Sequence, residues 1–264
     1  MSEPYEKIRY ETDGRIALVT INRPERLNAI DAQTSQELLA AFTAFRDDAN
    51  LWVAILTGSG ERAFSTGNDL IAMSEAMAGK GGAMRDFRAP FGGITRNFEC
   101  WKPIIAAING YCLAGGMEIA ACCDIRIAAE HAQFGVPEVT RAIIPAAGGT
   151  QRLPRMLPKG IALEMQITGA RFDAQWALRY GLVNYVLPAG QVLPKAREIA
   201  QAICENGPLA VRAAKESALR GLELSLEEGL HQELDHSRAV IGTEDAREGP
   251  LAFAQKRKPQ YKGR

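Results

Sequence analysis

The stretch PIIAAINGYCLAGGMEIAACCD, residues 103–124, places a strand, a glycine-rich turn and a helix in immediate succession. The apolar, β-branched run Pro103–Ile108 predicts a buried strand, and Asn109-Gly110 and Gly115-Gly116 interrupt it. The small apolar residues Met117–Cys123 favour a helix. Glycines let a backbone approach a ligand closely, and the N–H groups of a first helical turn point towards it. The stretch therefore predicts a ligand-binding turn.

Glu118 does not fit a purely apolar segment. Carboxylates are rarely buried unless they are paired or functional, which favours a site residue. A structural interpretation stands beside it, because an acid in the first turn of a helix stabilises the helix dipole. The stretch alone leaves both open.

The bulk composition is that of an ordinary globular protein. The 264 residues are 47% hydrophobic and 23% charged, and 31 basic residues balance 31 acidic ones. A formal charge of zero gives no global field to attract nucleic acid or an anionic membrane. The N-terminal MSEPYEKIRYE has no apolar signal core, and no apolar run is long enough for a membrane span. We therefore expect a cytoplasmic protein with neither membrane nor nucleic-acid partner.

Cysteine and histidine patterns indicate no metal site. The five cysteines form neither a disulfide framework nor a zinc pattern, which is typical of a reducing compartment. The three histidines lack metal-ligand spacing. We expect no metal.

The N-terminal third predicts strand, helix and strand. Alternating apolar residues around Asp13-Gly14 predict a hairpin, and 31–48 predicts a helix with a capping box of Thr34 and Glu37. A buried strand follows at Leu51–Thr57. A second turn of small residues, Ser65–Asn68, precedes another helical pattern.

Further along, the pattern at 84–101 is helical but broken at Pro90. It fits a mobile segment lining a pocket or a kinked core helix. Strand patterns end near residue 187, and only helical ones follow. The sequence thus predicts an α/β core over residues 1–190 and a helical region over 191–264.

Two glycine turns and two carboxylates form a candidate constellation. Thr66-Gly67 and Gly115-Gly116 each join a strand to a helix, and their N–H groups would form an oxyanion hole if they converged on one carbonyl oxygen. Glu118 and Glu138 lie among small or apolar residues, and such a pair is able to hold a water and exchange protons. Taken alone, Glu138 also fits an exposed loop residue after Pro137.

Several dispersed motifs carry a resemblance to the crotonase superfamily of enoyl-CoA hydratases and isomerases. They are LNAI (27–30), AFSTGNDL (63–70), NGYCLAGGMEIAACCD (109–124), FGVPE (134–138), IIPAAGGTQRL (143–153) and EGPLAFAQKRK (248–258). The resemblance runs essentially end to end. It implies a crotonase-like (ClpP/crotonase) spiral of ββα turns with a helical C-terminal region that builds a homotrimer or a dimer of trimers.

The resemblance also implies roles for five residues. Thr66 and Gly115 would donate the oxyanion N–H groups to the thioester carbonyl. Glu118 would activate the water and Glu138 would exchange the proton at the α-carbon, while the N–H of Ala146 would help hold the water. The substrate would be an acyl-CoA, as in fatty-acid β-oxidation, with no separate cofactor because coenzyme A is part of the substrate.

Coenzyme A contacts follow from the same resemblance. The matching positions are Arg26, Leu27, Ala29, Gly67, Asn68, Asp69, Leu70, Phe253 and Lys256. Phe253 and Lys256 would act across a subunit boundary. Glu25 stands where many relatives have Lys, and Arg26 beside it would replace that cation.

The resemblance says less about the acyl group of the substrate than about coenzyme A. Thr66 and Asn68 depart from the commoner Ala-rich turn. Among hydratases the chain is similar to the carnitinyl-CoA dehydratase (crotonobetainyl-CoA hydratase) group, whose trimethylammonium ligand would favour an aromatic or acidic cage. Trp101, Phe87 and Phe91 are candidates for such a cage, although they equally fit ordinary apolar lining.

Retention of both glutamates favours hydration of a 2-enoyl-CoA to a 3-hydroxyacyl-CoA, by a hydro-lyase. The alternatives are an isomerase or acyl-CoA hydrolase on the same scaffold, and an RNA- or partner-binding relative. The zero net charge argues against RNA.

Overall fold

Strands and helices alternate through the first two thirds of the chain, and helices alone follow. The computed structural model describes residues 5–79 and 89–264. The strands are β1 (Ile8–Asp13), β2 (Ile16–Ile21), β3 (Val53–Gly58), β4 (Ala63–Ser65), β5 (Ile104–Ile108), β6 (Tyr111–Leu113), β7 (Ile125–Ala129), β8 (Gln133–Gly135), β9 (Phe172–Asp173) and β10 (Tyr185–Leu187). The helices are α1 (Ala32–Asp47), α2 (Leu70–Met77), α3 (Gly115–Ala120), α4 (Gly149–Met156), α5 (Lys159–Thr168), α6 (Ala174–Arg179), α7 (Ala189–Cys204), α8 (Pro208–Gly221), α9 (Leu226–Ile241) and α10 (Glu244–Ala254).

The larger sheet forms the core. Its strand order is β1-β2-β3-β5-β7-β10, and the neighbours from β2 to β10 are parallel. Every residue of β2, β3 and β5 is buried, as expected for parallel strands covered on both faces. The predicted hairpin is confirmed, because β1 pairs antiparallel with β2 across Asp13↔Ile16.

A smaller sheet with order β4-β6-β8-β9 lies beside it. The pairs β3 and β4, β5 and β6, and β7 and β8 each send one strand to the large sheet and the next to the small one. The first three strands of the small sheet are parallel. This repeated arrangement confirms the predicted spiral of ββα turns.

The start of α1 differs from the predicted capping box. Asp31 is the N-cap, and its carboxylate accepts the N–H of Thr34 at 2.8 Å. The carboxylate of Glu37 instead accepts the N–H of Lys7 at 2.8 Å. The capping-box prediction was wrong because an aspartate three residues earlier is the better cap, which leaves Glu37 to hold the entry to β1.

The helical pattern at 84–101 differs from its predicted structure. Residues 84–88, with Phe87, lie outside the described residues; the rest holds only a 3₁₀ turn at Phe91–Gly93. Further along, the segment after β7 contains β8, whose backbone pairs with β6, and then a 3₁₀ helix, Pro137–Arg141. Gly149 begins α4, with Gly148 in a left-handed conformation at its N-cap.

The C-terminal helices extend from the core. The buried residues of α7, which are Val192, Ala196 and Ala200, pack on strands of the large sheet. In contrast, α8, α9 and α10 leave large apolar side chains exposed. The most exposed are Leu222, Leu226 and Phe253. A division of the chain at residue 190 stays a prediction. Within the described ranges, no helix is both long and apolar enough to cross a membrane.

Candidate active site

The candidate site lies at the carboxyl ends of the parallel strands β4, β6 and β8. Thr66 follows β4, Gly115 follows β6, and Glu138 lies in the 3₁₀ helix that follows β8. Ligand sites of parallel sheets form where strand ends and their turns meet. The small sheet therefore brings together residues that lie as far as 72 positions apart in sequence, from Thr66 to Glu138.

The two predicted oxyanion turns touch. A methyl group on Gly67, whose φ is +83°, would lie 2.5 Å from the backbone nitrogen of Gly115. The N–H groups of Thr66 and Gly115 donate to no acceptor within residues 5–79 and 89–264. An oxyanion hole requires two such N–H groups in neighbouring turns, and the role of these two as its donors stays a prediction.

Strained backbone precedes the second donor. Ala114 has φ 51° and ψ −130°, a conformation that a side-chain-bearing residue rarely adopts and that costs about 1–3 kcal/mol. Its N–H donates to the Gly135 carbonyl of β8 at 2.8 Å. A methyl group on Gly116 would lie 2.2 Å from the carbonyl oxygen of Ser65. The helix α3 is thus packed tightly onto the end of β4, which fixes the Gly115 N–H.

A buried hydrogen-bond network holds the first turn. The amide of Asn28 donates to the carbonyls of Ser59 at 3.0 Å and Ala63 at 2.7 Å. The Ser65 hydroxyl donates to the Asn28 carbonyl at 2.8 Å and accepts the N–H of Gly67 at 3.1 Å. The LNAI segment therefore positions the oxyanion turn through side chains that have their polar groups satisfied.

Arg23 and Asp69 brace the same region. The guanidinium of Arg23 contacts the carboxylates of Asp69 at 2.9 Å and Asp31 at 3.2 Å, and it donates to the Ala29 carbonyl at 2.6 Å. Burial alone would raise the pKa of Asp69, but the N–H of Ala72 and the Arg23 guanidinium lower it below the ordinary value. Asp69 also caps α2. Asp69 therefore holds the start of α2 and pairs with Arg23, in addition to its predicted role in binding coenzyme A.

Glu118 is held by two backbone donors. Its side chain lies in the first turn of α3, and the residue is 3% exposed. Its Oε1 accepts the N–H groups of Ala147 and Gly149, each at 2.7 Å. Two N–H donors on one oxygen stabilise the ionised carboxylate. The family resemblance implied that the N–H of Ala146 helps to hold the water, but the sequence did not identify Ala147 and Gly149 as donors to Glu118. Their only signal was their place in the glycine-rich IIPAAGGTQRL segment.

Glu138 has a different environment. It is buried, and its Oε2 has no hydrogen-bond partner among the residues that the structure describes. Burial raises the pKa of Glu138 to about 7, and the nearby charge of Glu118 adds to that rise, while its own backbone N–H and Arg141 oppose it. The exposed-loop alternative for Glu138 is therefore not what the structure shows.

The two environments separate the carboxyl groups chemically. Two backbone N–H groups donate to Glu118, whereas burial favours a proton on Glu138 near neutral pH. Pairs of acids whose surroundings differ in this way are typical of general acid–base sites. Such a pair is able to take a proton from water and deliver another to carbon.

The residues predicted to bind coenzyme A fall into two groups. The first surrounds the Thr66 turn: Arg26, Leu27, Ala29, Gly67, Asn68, Asp69 and Leu70. Within it, the Thr66 hydroxyl donates to the Leu27 carbonyl at 3.3 Å, and Leu70 is exposed at the start of α2. The second group, Phe253 and Lys256, lies at the end of α10, where Phe253 is 87% exposed.

The aromatic candidates for a cage do not gather at one place in the described chain. Phe91 is buried, and a methyl group on Gly115 would lie 2.3 Å from the Phe91 ring. The Phe91 ring therefore packs directly against Gly115, the second predicted oxyanion donor. Trp101 instead packs against Arg220 of α8, whose guanidinium carbon lies 4.9 Å from the centroid of the Trp101 ring. Phe87 lies outside the described residues.

Comparisons with known proteins identify the family of the chain. Residues 11–264 match the sequence model of the family described as enoyl-CoA hydratase/isomerase. The chain is 45% identical to a carnitinyl-CoA dehydratase of Salmonella arizonae, over 98% of this chain and 99% of that protein. It shares 45% identity with the carnitinyl-CoA dehydratase of Proteus mirabilis over the same fractions.

Solved structures agree with the sequence relatives. The crystal structure of an enoyl-CoA hydratase from Mycobacterium tuberculosis H37Rv superposes with a TM-score of 0.91, at 37% identity over 98% of this chain and 99% of that one. An enoyl-CoA hydratase from Bacillus anthracis gives 0.89 at 39% identity, over 98% and 100%.

These matches confirm the predicted fold and the predicted enzyme class, a hydro-lyase of the enoyl-CoA hydratase type. Because the family model spans nearly the whole chain and the relatives exceed 40% identity over 98% of it, the chain belongs to the enoyl-CoA hydratase/isomerase family.

Proposed function

We propose that this hydratase adds water to a 2-enoyl-CoA and that Glu118 and Glu138 carry out the proton transfers. The observation that carries the proposal is the contrast between the two carboxyl groups. Glu118 accepts two backbone hydrogen bonds at 2.7 Å, while the pKa of Glu138 is raised to about 7 by burial.

The proposed step uses every group in the site. The ionised Glu118 takes a proton from water, and the oxygen of that water forms a bond to the β-carbon. The electron pair of the double bond moves to the thioester oxygen, where the N–H groups of Thr66 and Gly115 stabilise the charge. The protonated Glu138 then gives its proton to the α-carbon as the carbonyl re-forms. Solvent exchange moves one proton from Glu118 to Glu138 and resets the site.

The raised pKa of Glu138 predicts the pH dependence. Hydration needs the protonated acid, so kcat/KM for hydration is expected to fall as pH rises through about 7, by about tenfold for each further pH unit. Dehydration needs the same pair with its single proton on Glu118, and the reaction takes up no net proton. Its kcat/KM should therefore fall above the same pH as that of hydration. Steady-state rates in both directions across the pH range check this. A kcat/KM for hydration that stays level well above pH 7 would contradict the assignment.

A second candidate substrate is crotonobetainyl-CoA. It is favoured by the 45% identity to proteins named carnitinyl-CoA dehydratase, which catalyse the same kind of step in reverse. Of the three aromatic candidates for a cage, Phe91 and Trp101 lie apart in the described chain, and Phe87 lies outside the described residues. A direct comparison of the two substrates decides between them.

The experiment that separates the candidates compares kcat/KM for crotonyl-CoA with kcat/KM for crotonobetainyl-CoA. The loss of the enoyl thioester absorbance measures the rate with each substrate. We expect turnover of crotonyl-CoA. A preference of more than about tenfold for crotonobetainyl-CoA, worth 1.4 kcal/mol of transition-state binding, would assign the second substrate instead. Absence of turnover with either thioester would contradict the proposed reaction.

The finer features of the protein are also part of the proposal. A homotrimer or a dimer of trimers would cover the exposed apolar residues of α8–α10 and would bring Phe253 and Lys256 to a neighbouring subunit's coenzyme A site. The proposed reaction transfers protons and no electrons, so it calls for no redox cofactor or metal. The five unpaired cysteines support a reducing compartment such as the cytoplasm.

A further inference from the structure

One peptide group links Arg96 to Glu118. The guanidinium of Arg96 donates to the carbonyl oxygen of Ala146 at 2.5 Å. The N–H of that same peptide bond belongs to Ala147, and it donates to Oε1 of Glu118 at 2.7 Å. The chain of contacts therefore runs from a cation, through a single peptide unit, to the carboxylate assigned as the base.

The geometry of a trans peptide places Arg96 and Glu118 on opposite sides of that unit. The C=O and N–H of a trans peptide point in opposite directions, and the described residues contain no cis peptide bond. A cation on the carbonyl oxygen polarises the peptide, which makes its N–H a stronger donor to an anion. Arg96, which is exposed, therefore contacts this peptide on the side opposite to Glu118.

A second arginine fixes this arrangement. The guanidinium of Arg152 donates to the carbonyls of Thr95 at 2.8 Å and Ala147 at 3.3 Å. It therefore joins the segment that carries Arg96 to the loop that holds Glu118. Arg96, Arg152, Arg155 and Glu223 line one open pocket of about 620 Å³.

We propose that Arg96 is a positioning residue for the hydration reaction: through the 146–147 peptide it keeps Glu118 ionised and oriented towards the water. This inference rests on the proposed function of Glu118. Other charged and titratable groups lie near Glu118 in the described chain. They include Glu138, whose charge opposes that of Glu118, and the Cys122 thiol, which donates to the Glu118 carbonyl oxygen. Arg152 lies near that thiol and donates to the Ala147 carbonyl.

The test compares Arg96→Gln and Arg96→Lys with Arg155→Gln. Arg155 lines the same cavity but donates to Gln151 of its own helix and pairs with Glu223, so it is a matched control. For Arg96→Gln we expect kcat for crotonyl-CoA hydration to fall about tenfold, as loss of a hydrogen bond from a charged group predicts. KM should stay within about twofold, and the acid limb of the kcat–pH profile should move to higher pH. Arg96→Lys should restore most of the rate, and Arg155→Gln should match the wild type.

Three results would overturn the proposal. One is a rise in KM at constant kcat, which would make Arg96 a substrate contact. Another is an acid limb that does not move. The third is an Arg96→Lys variant as impaired as Arg96→Gln.

A readout that does not need turnover separates this proposal from the proposed function. The infrared carboxylate band that Glu118→Gln removes reports the ionisation of Glu118 directly. We expect that band to titrate at higher pH in Arg96→Gln than in the wild type, even if the natural substrate is not crotonyl-CoA. An unmoved band would overturn the role of Arg96, whereas a moved band without hydration of crotonyl-CoA would count against the proposed reaction alone.

Discussion

Replacement of Glu118 by Gln should reduce kcat for crotonyl-CoA hydration by about 10³-fold, the usual scale for loss of a general base. The amide oxygen of Gln is able to accept the same N–H groups of Ala147 and Gly149, so the loop should keep its position. What the variant loses is the negative charge that takes a proton from water. Steady-state assays of the purified variant measure this directly.

The stability of the variant is the control for Glu118→Gln. Its thermal unfolding should match that of the wild type, and its KM should change little, because the oxyanion turns and the coenzyme A contacts remain. A kcat within about tenfold of wild type would remove Glu118 from the role of base. Such tolerance would also favour the isomerase alternative, in which one carboxylate suffices.

Replacement of Gly67 by Ala should lower kcat by about 10²-fold or more, because it disturbs the oxyanion hole while leaving both glutamates in place. The added methyl group would lie 2.5 Å from the backbone nitrogen of Gly115 and 2.9 Å from the Cβ of Ala114. Neither neighbour is free to move, since Ala114 is bonded to Gly135 and Gly116 packs on Ser65. The two N–H donors must therefore separate or tilt.

Gly181→Ala separates this effect from backbone strain. Gly181 has φ +75°, close to the +83° of Gly67, but a methyl group there would meet nothing within 4 Å. Both variants should lose about 1 kcal/mol of stability from the left-handed backbone, and Gly67→Ala should lose more because its methyl group also meets Gly115 and Ala114. Only Gly67→Ala should lose activity. Equal rates in the two variants would contradict an oxyanion hole at these turns.

Side-chain patterns predicted the strands of the core and the carboxylates of the site. The β-branched runs at 16–21 and 104–108 are buried on both faces, so their composition is distinctive. Glu118 was conspicuous because a charge in an apolar, glycine-rich segment needs a reason. The turns at Thr66 and Gly115 were visible because glycine marks close backbone approach.

Contacts made by backbone groups were not predictable in the same way. The N–H groups of Ala147 and Gly149 hold Glu118, but every residue except proline carries an N–H, so no side chain signals them. The link from Arg96 to Ala146 spans fifty residues and depends on how the segment after Phe91 returns to the loop. Short strands such as β8 were missed because three residues carry too little periodicity, and pairing with β6 decides their structure.

The most direct test of the two-glutamate account is the rate of crotonyl-CoA hydration by Glu118→Gln, Glu138→Gln and the double variant, measured side by side. If both carboxyl groups act on one addition of water, the double variant should be scarcely slower than the slower single variant, because residues that act as a unit are strongly non-additive. Losses that multiply, or a single variant that keeps wild-type turnover, would contradict the account.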